Sequence, residues 1–61
     1  MTPREKEVLK RLVAGKSNKE IASELFISVH TVKAHLESLF RKTGMINRVQ
    51  LAVYAVQKGL N

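Results

Sequence analysis

The chain has no cysteine, one proline and three aromatic residues, and its five acidic side chains face eleven of lysine and arginine. Without cysteine there are no disulfide staples and no thiolate zinc sites, and the composition suits a reducing, intracellular setting. No apolar run approaches the roughly 18 to 20 residues that span a bilayer, and the first residues lack the basic-then-apolar order of a secretory signal. A soluble, cytoplasmic protein with no membrane partner is therefore expected. A chain of 61 residues buries only about 60% of the surface its unfolded form exposes, too little for the deep pocket of an enzyme. Hydrophobic residues still make up 44% of the chain and recur at regular spacing, enough for one small core rather than a disordered tail.

What is present is a series of helix starts and stops. Thr2-Pro3-Arg4-Glu5 is a capping box with proline at the first helical position. Val8, Leu9, Leu12 and Val13 follow on one face, and Gly15 offers a left-handed stop, predicting a helix over 3–14. Ser17-Asn18-Lys19-Glu20 repeats the box ahead of Ile21, Ala22 and Leu25, predicting a short helix over 18–25. Ser28 can cap a third helix over 29–43, striped by Val29, Val32, Leu36, Leu39 and Phe40 and ended by Gly44. Asn47 can cap a fourth over 48–58, closed by Gly59. Nothing alternates with the two-residue period of a strand, and no linker, repeat or low-complexity stretch interrupts the chain. The expected fold class is all-α, a four-helix bundle in a single domain over 1–61.

Only Phe26 and Ile27 lie between the second stripe and the cap at Ser28. Both are apolar where a solvent-facing loop usually carries polar residues, so this turn is expected to be buried. A short helix, a tight turn and a longer helix make a helix-turn-helix, whose second helix is free to enter the major groove of DNA. At about 100° per residue, Ala34, Arg41, Ser38, His30, Thr31 and Glu37 fall opposite the apolar stripe of the third helix. Lys33 lies on one flank of that face, His35 and Lys42 on the other. The small Ala34 at its centre lets the helix axis approach base edges and touch a thymine methyl, while the longer polar chains around it reach donors and acceptors. Periodicity alone centres the contact face on His30, Ala34 and Arg41.

The net charge of +6 is spread along the chain. That suits phosphate contacts from several helix ends better than one membrane-binding basic face. Lys19 sits at the start of the second helix, where free N–H groups and the helix dipole already favour a phosphate oxygen. His30 and His35 stand about 140° apart around their helix and cannot share a metal ion. Glu5 and Glu20 have cap roles, no serine has histidine and carboxylate partners in a plausible triad order, and no glycine-rich loop follows a strand. No catalytic residue, cofactor or metal is expected, and hence no enzyme.

The blocks Thr2-Pro3-Arg4-Glu5, Gly15 to Ala22, Ile27 to His35, Asn47-Arg48 and Gly59-Leu60 together resemble the LuxR-type, also called NarL or GerE-type, C-terminal DNA-binding domains of bacterial transcription regulators. The resemblance covers essentially the whole chain. It implies a tetrahelical helix-turn-helix of a response regulator or related factor, with the third helix in the major groove of double-stranded DNA and dimerisation through the fourth. It implies base-edge contacts from Lys33, Ala34 and Glu37, which rotates the contact face from the centre found by periodicity toward the Lys33 flank; His30 is kept as a further base contact from the periodicity. It implies phosphate contacts from Lys19, Ser28, Thr31, His35 and Arg41. Glu37 departs from the pattern: it can accept from a cytosine amino group, or it can pair with Arg41 one turn on. Met1 stands where the family usually has leucine. The resemblance further implies a preceding regulatory domain in the full-length protein, and it admits RNA polymerase as a partner.

The fourth helix is apolar on more than one side. Val49, Ala52, Val53 and Val56 make one face, and Leu51, Tyr54 and Ala55 much of another. One face is expected on the core and the other left for a partner, and the resemblance points to the first as the dimer contact. The alternative buries that face and leaves Leu51 and Tyr54 semi-exposed. A contact from one short helix stays under about 800 Å² per partner, so a weak homodimer strengthened on DNA is expected. Two other functions compete: a sigma-type promoter-recognition module, which the surplus apolar face opposes, and a helical protein-interaction module, which predicts no salt-dependent DNA binding.

Overall fold

The computed structural model describes residues 1–60 and shows α1 Pro3–Val13, α2 Asn18–Leu25, α3 Val29–Thr43 and α4 Arg48–Gln57, with no strand among the described residues. Each helix begins at its cap. Thr2 Oγ1 accepts from the Glu5 N–H at 3.1 Å while Glu5 Oε1 accepts from the Thr2 N–H at 2.8 Å. Ser17 and Glu20 reproduce the same pair. Ser28 and Asn47 accept from the N–H groups of Thr31 and Gln50, so every start has its orphan donors partly satisfied.

Two helices end one residue earlier than the periodicity suggests, at Val13 and Gln57. Ala14 and Lys58 act as caps there, because Gly15 (φ 86°) and Gly59 (φ 68°) turn the chain left-handed. The N–H groups of Lys16 and Leu60 then reach back to the carbonyls of Arg11 and Ala55.

The core is built from Val8, Leu9 and Leu12 of α1, Ile21, Ala22 and Leu25 of α2, Val32, Leu36 and Leu39 of α3, and Leu51 and Ala55 of α4. Full burial of each large aliphatic side chain contributes about 1.5 to 3 kcal/mol. α1 is central and packs on all three other helices; α2 packs on α3 and α3 on α4, whereas the backbones of α2 and α4 do not pack on each other. Among the described residues no helix is long and apolar enough to cross a membrane.

The turn between α2 and α3 corrects the expectation that both its residues are buried. Phe26 is 94% exposed and Ile27 is half-buried against the core. Phe26 takes the left-handed conformation (φ 58°, ψ 41°) just past the end of α2, so the Ile27 N–H can donate to the Ala22 carbonyl at 3.0 Å. That closure turns Ile27 inward and leaves the preceding side chain outside. On α4, Leu51 and Ala55 are the buried side, while Val49, Val53 and Val56 stay 73%, 50% and 55% exposed and Ala52 is half-buried. The alternative that buries the valine face is thereby excluded.

Glu5 is the one buried charged side chain among the described residues. Besides closing its cap it accepts from Ser38 Oγ at 2.6 Å and from Lys42 Nζ at 2.8 and 3.0 Å. The start of α1 is thus bonded to the second half of α3. The hydrogen bond from Lys42, then those from Ser38 and the Thr2 backbone, pull its pKa down to about 2, against a smaller opposing effect of burial.

Candidate nucleic-acid interface

α2 and α3 pack against each other and against α1 through their apolar stripes, which directs the other side of α3 to solvent. His30, Lys33, Ala34, Glu37 and Arg41 are all exposed along it. None of these side chains enters a hydrogen bond or ion pair within the described residues, so their donors and acceptors are free. Glu37 in particular makes no ion pair with Arg41. Ser38 and Lys42 differ from their sequence placement on or beside this face, since both reach Glu5 instead.

At the N-terminal end of α3, the Ser28 and Thr31 hydroxyls lie 2.9 Å apart, and Ser28 Oγ also accepts the Thr31 N–H at 3.0 Å. Ser28 is exposed and Thr31 half-buried. Lys19 is exposed on the first turn of α2, and His35 is half-buried on the flank of α3. Nearby Glu24 accepts from Arg11 at 2.9 Å and lies 3.2 Å from Lys16 Nζ, which offsets those two cations and lowers its own pKa, chiefly through the Lys16 bond. Lys19, Lys33 and Arg41 have no such partner among the described residues. Uncompensated positive charge therefore borders the exposed face of α3, where polyanion contacts benefit from it, as it also lies on α1 at Lys6 and Lys10 and at the end of α4 at Lys58.

Two features of this region were invisible in the sequence. Arg48, at the start of α4, donates to Asn18 Oδ1 at 2.7 Å and to the Lys16 carbonyl. Glu5 holds α3 through Ser38 and Lys42. Both link residues 30 or more positions apart, and no local pattern announces such a pair.

A short helix, a left-handed turn and a longer helix with an exposed, unpaired polar face define a helix-turn-helix DNA-binding module. Comparison with known proteins carries the assignment further: the chain matches the family described as bacterial regulatory proteins, luxR family, over residues 1–55. The transcriptional regulatory protein YhcZ of Bacillus subtilis is 51% identical over 61 residues, all of this chain and 28% of that protein. The CsgBAC operon transcriptional regulatory protein of Escherichia coli is 53% identical over 55 residues, 90% of this chain and 26% of its own length. Among solved structures, the response regulator ChrA of a heme-sensing two component system matches with TM-score 0.92 and 42% identity, over 98% of this chain and 30% of that one. The chain belongs to the luxR family, whose members are helix-turn-helix transcription regulators and not enzymes. It spans between a quarter and a third of the length of these relatives.

Proposed function

We propose that residues 1–61 form one unit that reads double-stranded DNA with α3 in the major groove and pairs with a second copy through α4. The observation that carries this reading is the exposed face of α3, whose polar groups have no partners within the described residues and whose centre is the small Ala34. Lys33, Ala34, Glu37 and His30 face base edges; Lys19, Ser28, Thr31, His35 and Arg41 meet phosphates. The absence of a Glu37–Arg41 pair favours a carboxylate available to a cytosine amino group. Val49, Ala52, Val53 and Val56 form the contact with the second copy, supported by the exposure of three adjoining valines on a small basic protein. The relatives include an operon regulator and a response regulator, which supports a role in transcription; a regulatory domain in a full-length protein, RNA polymerase as a further partner and the bacterial cytoplasm belong to the same proposal.

The test is selection from a random pool of duplexes at about 0.15 M salt, followed by sequencing of what is retained. Two related half-sites at fixed spacing are the expected outcome. A pool that stays unenriched would refute sequence reading by this unit alone.

A further inference from the structure

Arg48 belongs to the Asn47-Arg48 block of the sequence and lines a shallow pocket beside Lys33 and Glu37 of α3, yet it makes no hydrogen bond to α3. Its guanidinium instead spans to the turn before α2: Nη1 donates to Asn18 Oδ1 at 2.7 Å and Nη2 to the Lys16 carbonyl. α2 and α4 do not pack on each other, so this fork is the direct polar link between them. Both acceptors are neutral. Among the described residues no carboxylate pairs with Arg48 or Lys19, because Glu20 is turned back onto the Ser17 N–H at 2.8 Å and Glu24 is held by Arg11 and Lys16. The guanidinium therefore sits uncompensated between the starts of two helices, the positive ends of their dipoles.

Cations at a helix start are unfavourable, and a phosphate oxygen arriving beside Lys19 would relieve that repulsion. The start of α2 and the start of α4 then respond to the same anion. We propose that Arg48 is a positioning residue that couples phosphate occupancy at the start of α2 to the setting of α4, so that a duplex bound by one copy prepares the valine face for the second. The inference rests on the proposed roles of α3 in reading DNA and of α4 in pairing. Coupling of this kind is reciprocal, so pairing through α4 also tightens DNA binding.

The experiment measures affinity for a duplex with one selected half-site and for a duplex with two, together with thermal unfolding. The wild type is expected to bind the two-site duplex more tightly than independent binding allows. Arg48→Lys keeps the charge and loses the planar fork, and Asn18→Ala removes one acceptor while leaving Arg48 intact. In both variants the two-site excess is expected to fall about five-fold or more, a coupling at the low end of the usual range, with one-site affinity unchanged within about two-fold. An unchanged excess in either folded variant overturns the proposal. Equal losses on both duplexes, tracking a lowered Tm, also overturn it and make Arg48 a plain stability residue. A wild type with no excess removes the proposal together with pairing through α4, and a wild type that binds neither duplex removes the DNA reading itself.

Discussion

Glu5 shows how one side chain serves two levels of structure. Its carboxylate closes the cap of α1 and holds Ser38 and Lys42 of α3, and these bonds lower its pKa from 4.5 to about 2. A depressed carboxylate contributes stability that is present above the unfolded value and is lost as pH falls through the folded value. The shift corresponds to about 3 kcal/mol. Glu5→Gln is therefore expected to lower stability at pH 7 by about 2 to 3 kcal/mol and to flatten its loss between about pH 4.5 and pH 2, as read from urea midpoints against pH. Phe26 supports a prediction of opposite sign. An aromatic residue in the left-handed region, 94% exposed, has strain without compensating burial. Phe26→Gly is expected to raise stability by about 1 kcal/mol, since only glycine adopts that conformation freely; an unchanged or lower Tm would contradict this.

At the scale of elements, the two apolar sides of α4 separate by what each touches. Leu51 and Ala55 meet α1 and α3 in the core, and the valines face outward. Val53→Asp is expected to cost under about 1 kcal/mol of monomer stability, because the side chain is half-exposed, while abolishing any two-site advantage on DNA. Unfolding of the variant at a much lower temperature would show instead that this face stabilises the monomer. α3 is oriented by all three other helices, on which it packs, and the Glu5 bonds to Ser38 and Lys42 add a polar tie to α1. That arrangement explains why Ser38 and Lys42, polar and placed by periodicity on or beside the outer face, reach toward α1, Lys42 from a side chain that stays exposed. A buried carboxylate on α1 outweighs their preference for water.

The fold measures 27 × 20 × 19 Å, a size compatible with the proposed placement of one copy on each of two half-sites about one helical turn, 34 to 36 Å, apart. With a net charge of +6, its affinity for any duplex is expected to fall steeply with salt. Lys19→Ala should weaken binding to all sequences alike and reduce the salt slope by about 1, whereas Lys33→Ala should cost about 1 to 3 kcal/mol on the selected site and relax its selectivity. Titrations of selected and scrambled duplexes at several salt concentrations separate the two, and equal loss of selectivity would reverse the assignment. The helix starts, the helix-turn-helix, the family and the core stripes were legible in the amino-acid sequence, except that Val29, set by periodicity in the stripe of α3, is exposed. Capping boxes, apolar periodicity and motif blocks act over a few residues, and their signals survive without a fold. Which side of α4 is buried, that Phe26 points out while Ile27 points in, and that Glu5 and Arg48 tie together helices distant in sequence were decided only by tertiary structure. Those outcomes depend on which surfaces the packed helices leave uncovered and on which polar groups meet across a long chain separation, and neither quantity exists until the helices have come together.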